Sequence, residues 1–446
     1  MNPNYMKEKP VLPLFVSAAI PMVLSMLVNS LYNIIDSIFV AKISEEAMTA
    51  LSLVFPVQNL VTSIGVGFGV GVNAVIAMSL GAGKQKDADV AASQGILFSI
   101  VHGVLLTVFG ILAMPSFLGI FTESETVFHF GVRYAVIVLS FSVIVTVEIT
   151  FEKIFQSIGR MLVSTFCLLT GCVVNIVLDP LLIFGIGPFP EMGIEGAAWA
   201  TNIGQLSTLV IYLTVWAVKR PNLKLSLKLM KPTRQIAGSL YLTGIPATLN
   251  MALPSLLISA LNSILAAYTQ TYVLVLGIYY KLQTFLYLPA NGAIQGMRPL
   301  LSYNAGAKEY LRVRKIYKVT ALTIVCVMAA GMVLSLCIPD SLLGMFTENP
   351  VTVQTGIPAL RIICFGFVVS SLSVVSAGAL EALGKGPKSL VISALRYVIF
   401  IIPAAFLLSR FLGPDAVWHA FWMTETGAAA IAFALYRGTV GKMEVK

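Results

Sequence analysis

The sequence predicts an all-α polytopic membrane protein, with about 12 transmembrane helices arranged as two pseudo-twofold-related six-helix lobes. Three observations carry that prediction. Hydrophobic residues make up 57% of the chain and charged residues only 11%, with a mean hydropathy of +0.89, whereas an ordinary soluble domain is about one-quarter charged. Apolar runs of roughly 20 residues or more follow one another with short polar breaks, which is the length of a spanning helix and not the ~10-residue alternation of a barrel strand. The chain also repeats itself at a separation of about 225 residues, an internal period that fixes an architecture.

In chain order, spans are expected at about 11–42, 47–80, 90–116, 124–156, 162–186, 194–218, 235–265, 271–303, 314–338, 350–382, 388–409 and 414–437. The first is too long for the apolar core of a signal peptide and lacks a small-residue cleavage site, so it is expected to stay in the bilayer. Basic residues occupy alternate breaks: Lys7 and Lys9, Lys84 and Lys86, Arg160, the run Lys219 to Arg234, Lys308 to Lys318, Lys385 and Lys388, then Arg437, Lys442 and Lys446. The other breaks are acidic or neutral, as in FTESET from Phe121 and PEMGIEG from Pro190. The positive-inside rule then predicts a multi-pass protein of the cell (inner) membrane with both termini cytoplasmic. A net charge of +9 is accounted for by topology and by contact with anionic membrane lipids, and gives no support to nucleic-acid binding.

Cys167, Cys172, Cys326, Cys337 and Cys364 lie in apolar runs and form no CxxC pair, which reads as small buried hydrophobes. His102, His129 and His419 are isolated, so no zinc spacing can be assembled. A membrane enzyme would need a nucleophile–base or metal set within the bilayer, and none is legible.

The repeat rests on four anchors. SFLGIFTE from Ser116 returns as SLLGMFTE from Ser341, and QSIGRMLVS from Gln156 returns as EALGKGPKS from Glu381. AIP ending at Pro21 answers GIP ending at Pro246, and SLGAGK from Ser79 answers SYNAGAK from Ser302. An even number of spans separates partners, so both halves enter the membrane in the same direction and are related by an axis along its normal. The expected division is an N-terminal lobe at 1–218, a basic cytoplasmic linker at 219–234 and a C-terminal lobe at 235–446. Duplicated halves flanking a central cavity suit a transporter, because rocking one against the other opens the cavity to alternate sides.

Departures from the repeat point to function. Asp36 has Leu261 as its counterpart and Asp179 has Ala404. In SLYNIIDSIFV, Asn29, Asn33 and Asp36 recur at i, i+4 and i+7, one face of a helix. Asn175 stands one turn before Asp179 on the same face, and Pro180 removes a backbone donor beside it. Asp36 and Asp179 each lie roughly 9 Å below the same end of their spans at 1.5 Å per residue, and Thr201 lies about as deep in the sixth. Intramembrane carboxylates cost at least ~2.5 kcal/mol each on insertion scales. Two close together repel unless a proton or cation intervenes, which is the chemistry of ion coupling.

Other polar groups rank behind these. Asn29, Asn33 and Glu148 are secondary candidates for ion or substrate contact, whereas Glu152 reads as ion-paired with Lys153. Lys281 is a further substrate-facing candidate; Arg298, Arg361 and Arg396 read first as structural. The glycines of GVGFGVGVNA, from Gly65, lack the strand and the Lys-Ser/Thr of a phosphate loop and fit close helix packing. Pro21 and Pro246 mark bend points near the start of each half.

The repeated halves, NxxxDP from Asn175 to Pro180, Asp36 in the first span, EKIFQSIGR and its EALGKG echo together resemble the multidrug and toxic compound extrusion (MATE) family, most like its DinF-like and MepA-like branches. The resemblance covers essentially the whole chain. It implies a monomeric secondary antiporter that expels bulky, often cationic drugs and other organic compounds, conferring antibiotic resistance. No cofactor is implied beyond H⁺ or Na⁺ as coupling ion. In the DinF-like branch the cation-coupling site is in the N-terminal lobe and maps onto Asp36, Asn175, Asp179 and Thr201, with Pro21 as the matching helix-bending residue. The NorM-like branch instead places acids in the seventh and tenth spans. Here Pro246 to Leu265 has none, and the tenth span has none before Glu381, so the resemblance does not extend to a C-terminal cation site. The rival within the wider superfamily is a flippase for lipid-linked saccharides, against which the acidic N-terminal site argues.

Overall fold

The computed structural model describes residues 5–444. Every regular element among them is a helix, as expected where no water is present to satisfy a strand edge or an irregular backbone. Ten of the described helices are each long and apolar enough to cross a membrane, and the pair Glu125–Ser140 and Ser142–Ser157, bent by 47°, makes an eleventh span. His419–Glu444 has the length of a twelfth but, with Glu425 inside it, a more polar composition. The first six spans are therefore Val11–Ala41, Glu45–Gly81, Gln85–Phe121, the bent pair, Met161–Ile183 and Ile194–Lys219. The second six are Arg234–Ala266, Gln270–Gly306, Tyr310–Cys337, Pro350–Ile363 with Phe365–Ala382, Gly386–Leu412 and His419–Glu444.

Outward-facing side chains are apolar where a soluble protein would carry charge. Gln85–Phe121 exposes Val101, Val104, Leu105, Val108, Phe109 and Leu112 in one continuous strip, far beyond the scattered apolar residues of a soluble surface. Cys326 and Cys337 lie on such exposed faces, whereas Cys167, Cys172 and Cys364 are buried as their sequence setting suggests.

The sequence repeat is also a repeat of backbone geometry. Glu45–Gly81 ends with Gly83 at φ +73° and a Lys84 N–H donating to the Ser79 carbonyl; in the second half Lys308 stands at φ +59° and the Glu309 N–H donates to Asn304. Likewise Gly159, at φ +75°, precedes an Arg160 N–H bonded to Phe155, and Gly384, at φ +68°, precedes Lys385 bonded to Leu380. These are the six-to-one bonds that close a helix through a left-handed residue. Three of the four positions use glycine. Lys308 takes the conformation with a side chain.

The described residues group into two compact units, Leu24–Ile245, and Pro246–Lys446 together with the chain up to Val23. Both boundaries fall inside helices, just after Pro21 and just before Pro246. Within the second unit, Gly292 and Gly296 let Gln270–Gly306 lie directly against the backbone at Val23 and at Ala18–Ala19. Within the first, Gly71 lies against the backbone of Leu240 and Gly244 in the same manner. The stretch between Lys219 and Arg234 is tied down: the Lys224 N–H donates to Asp89 Oδ1 at 3.0 Å, Gln85 Nε2 to the Asn222 carbonyl at 2.6 Å and Gln94 Nε2 to the Lys231 carbonyl at 2.7 Å.

Candidate functional site

The site is built on three helices of the Leu24–Ile245 unit. Met161–Ile183 and Ile194–Lys219 approach so closely that a methyl group on Gly171 would collide with Thr208 and with the Gly204 carbonyl, and one on Gly204 with the Gly171 carbonyl. Small residues at such a crossing let two backbones touch. One turn further along the first of them, Asn175 then reaches Ile194–Lys219: its Nδ2 donates to Thr201 Oγ1 at 3.5 Å and, along its own helix, to Asp179 Oδ1 at 3.3 Å. Asp36, on Val11–Ala41, is close enough to Asp179 for their charges to interact. All four sequence-predicted coupling residues are thus brought together, and all four are buried: Asp179 is 0% exposed and Asn175 2%.

The arrangement is short of donors. Asp36 Oδ1, Asp179 Oδ2 and Asn175 Oδ1 are buried acceptor oxygens with no hydrogen-bond partner, and none of the ion pairs among the described residues includes either aspartate. Buried polar atoms are almost always satisfied, so three unpartnered acceptor oxygens from three neighbouring side chains mark this cluster as unusual.

Two tyrosines and a glutamine absent from the sequence-level set belong to the same neighbourhood. Tyr134, 1% exposed, lies within electrostatic reach of Asp36 and Asp179 and accepts a hydrogen bond from Gln58 Nε2 at 3.3 Å. Tyr32, one turn before Asp36, lies within reach of Asp36, Asp179 and Glu148. Periodicity would have been enough to find Tyr32, which shares the Asp36 face at i, i+4; Tyr134 sits on Glu125–Ser140, and only packing reveals it.

The remaining candidates are placed as follows. Asn29 and Asn33 are exposed, and the Asn33 amide turns back to the Asn29 carbonyl at 2.6 Å, so the polar stripe divides between a buried acid and two exposed amides. Glu148 is half-buried and interacts electrostatically with Glu152. Glu152 accepts from Lys153 Nζ at 3.1 Å and from Gln156 Nε2 at 2.5 Å, the ion pair expected from sequence. Lys281 is exposed with its ammonium 5.9 Å from the Phe346 ring centre. Arg298 bonds Glu381 at 2.5 Å, Arg396 pairs with Glu425, and Arg361 is exposed. Pro21 is buried inside Val11–Ala41.

The family model described as MatE matches residues 21–181 and, a second time, residues 246–407, well over half of the chain. The chain belongs to the MatE family. Each match covers one copy of the internal repeat, which is how a duplicated MatE protein would be matched. The chain is similar to the multidrug export protein MepA of Staphylococcus saprophyticus, at 27% identity over 96% of this chain and 95% of that protein. It is similar also to that of Staphylococcus haemolyticus, at 26% identity over 97% and 95%. Among solved structures, a MATE transporter in the bent conformation superposes with a TM-score of 0.93 at 23% identity, covering 100% of this chain and 98% of that one. A MOP superfamily transporter from Pyrococcus furiosus superposes with a TM-score of 0.92 at 22% identity, over 100% and 99%. These likenesses establish the MatE fold, all-α with two lobes and multiple membrane spans, for this chain.

Proposed function

We propose that this MatE-family protein is a secondary active efflux antiporter that exports bulky organic, often cationic compounds in exchange for H⁺ or Na⁺ by alternating access. The observation that carries the reading is the cluster of Asp36, Asn175, Asp179 and Thr201, with three buried oxygens lacking partners and no basic residue paired to either acid among the described residues. Carboxylate, amide and hydroxyl oxygens are hard ligands, suited to a proton or Na⁺. A bound cation relieves the repulsion between the aspartates; its release restores it. Any conformation in which the cluster binds the ion more tightly is favoured by ion binding, and differential affinity is all that a population shift requires. The multidrug export named for the staphylococcal relatives supports drugs as the cargo.

In this reading the residues at 1–218 carry ion coupling, those at 235–446 form the second lobe, and Pro21 permits the first helix to bend. The protein acts as a monomer in the cell membrane with both termini cytoplasmic. The test is transport of ethidium in proteoliposomes under an imposed pH or Na⁺ gradient, comparing wild type with Asp36→Asn. Gradient-driven dye movement that is lost in the variant is the expected result. Movement of a saccharide-lipid without dye would give the assignment to a flippase.

A further inference from the structure

The C-terminal half contains a cavity of about 280 Å³ that the ion-coupling reading does not use. Its walls are largely aromatic, with Tyr279, Tyr280, Tyr287, Phe367, Tyr397 and Phe421 among them; its charged members are Arg396 and Glu425, beside the neutral polar Gln283, Thr284, Asn291 and Ser370. A site of this kind, mostly apolar with a few convergent polar groups, is the usual form of a small-molecule pocket, and its volume suits a ligand of one or two fused rings.

Local backbone geometry sets the arginine. Between Gly386–Ala394 and Ile401–Leu412 the helix widens into a π turn at Leu395–Phe400, an irregularity found preferentially at functional sites. The repeat counterpart of Arg396 is Gly171, in an unbroken α-helix, so the widening belongs to this half alone. Arg396 is 7% exposed and Glu425 13%. Arg396 Nε donates to Glu425 Oε1. One terminal nitrogen donates to the Tyr397 hydroxyl and the other to the Tyr287 hydroxyl, each at 3.2 Å.

A guanidinium has five N–H groups, so two remain without a protein acceptor. The carboxylate is similarly incomplete, since Glu425 Oε2 receives only the Ser373 hydroxyl at 3.4 Å. The buried Tyr280 hydroxyl has no hydrogen-bond partner among the described residues. This pair keeps two guanidinium N–H groups without an acceptor and a carboxylate oxygen with a single long hydrogen bond, beside an aromatic cavity. Its net charge is zero. A ligand carrying a single charge would leave one of the two opposite charges of the pair unmatched beside largely aromatic walls, whereas a ligand with one positive and one negative group can match both ends and stay neutral overall.

We propose that this cavity is a binding site for a small aromatic zwitterion, its carboxylate on the free N–H edge of Arg396, its ammonium on Glu425 Oε2 and its rings among the tyrosines. The proposal concerns residues of the C-terminal half only and does not depend on the ion-coupling reading.

Equilibrium dialysis of the purified full-length protein with radiolabelled tryptophan tests it, against tryptophan methyl ester (cation), N-acetyltryptophan (anion) and N-acetyltryptophanamide (neutral). Tryptophan is expected to bind about tenfold more tightly than either singly charged analogue, the scale of a charge-assisted hydrogen bond gained or lost. In the double variant Arg396→Gln/Glu425→Gln, tryptophan binding falls by about the same factor while N-acetyltryptophanamide changes less than about twofold, showing an intact cavity. If the double variant aggregates, Tyr287→Phe replaces it, since it removes a single hydroxyl, shared between the guanidinium and Ser370; a roughly threefold loss for tryptophan alone is expected. The methyl ester binding as tightly as tryptophan overturns the proposal, as does tryptophan binding unaffected by whichever variant is read.

Discussion

Asp36 and Asp179 in the N-terminal half, and Arg396 and Glu425 in the C-terminal half, are charges buried in equivalent surroundings of a duplicated fold. The first pair has no basic partner among the described residues and leaves acceptor oxygens unfilled; in the second, a carboxylate is held against a guanidinium. The acids have Leu261 and Ala404 at the repeat positions, and Arg396 has Gly171, so neither arrangement is inherited from a common half. The backbone template was copied, as the matching helix ends at Gly83 and Lys308 demonstrate. The electrostatics were set separately in each copy. A duplicated scaffold can therefore hold one region of buried acids without a basic partner among the described residues and another whose charges are paired.

The comparison breaks most directly at the aspartates. Asp36→Asn and Asp179→Asn are each expected to lower gradient-driven efflux more than about tenfold, the range of a typical coupling free energy, with normal membrane insertion. Full drug resistance in cells expressing either variant would remove the site from the mechanism. The same substitutions are expected to leave thermal stability equal or higher, because an uncompensated buried charge is deleted.

Arg396→Gln should do the reverse. Stranding the Glu425 carboxylate is expected to cost about 3–5 kcal/mol, much of it recovered in Arg396→Gln/Glu425→Gln, as read by thermal unfolding in detergent. An Arg396→Gln protein as stable as wild type would mean that the pair contributes nothing and that the contrast between the halves is false.

Thr201→Ala sharpens the picture of the N-terminal cluster. It removes an acceptor from the Asn175 amide and a potential ion ligand, and about 1 kcal/mol is the scale of such a bond, so the half-maximal ion concentration for efflux should rise about fivefold. Thr201→Ser should behave as wild type. The smallest expected effect is at the turn that the halves share: Lys308→Gly relieves a left-handed conformation that Gly83 adopts without strain, raising stability by about 1 kcal/mol. No rise in melting temperature would show that the lysine side chain compensates locally.

Much of the site was legible because membrane depth is a one-dimensional quantity. Counting residues from the ends of their helices put Asp36, Asp179 and Thr201 at one level, and a four-residue spacing put Asn175 beside Asp179. Tyr134 and Gln58 escaped because each is an ordinary residue of its own helix, significant only through the neighbour it meets. Glu425 escaped for a related reason: a lone acid in a moderately polar last helix carries no local mark of its arginine, 29 residues earlier and on another helix.

Composition and periodicity determined by themselves that the chain is helical and membrane-embedded, that it is doubled, and that its acids are unequally shared, since each of these follows from hydrophobicity and spacing along one dimension. Beyond the adjacent Glu152–Lys153 pair, tertiary structure alone decided which buried charges are neutralised. A carboxylate beside a guanidinium and a carboxylate beside another carboxylate look alike in sequence, and only the lateral packing of helices, at places such as the Gly171–Gly204 crossing and the π turn at Arg396, determines which neighbour each charge has.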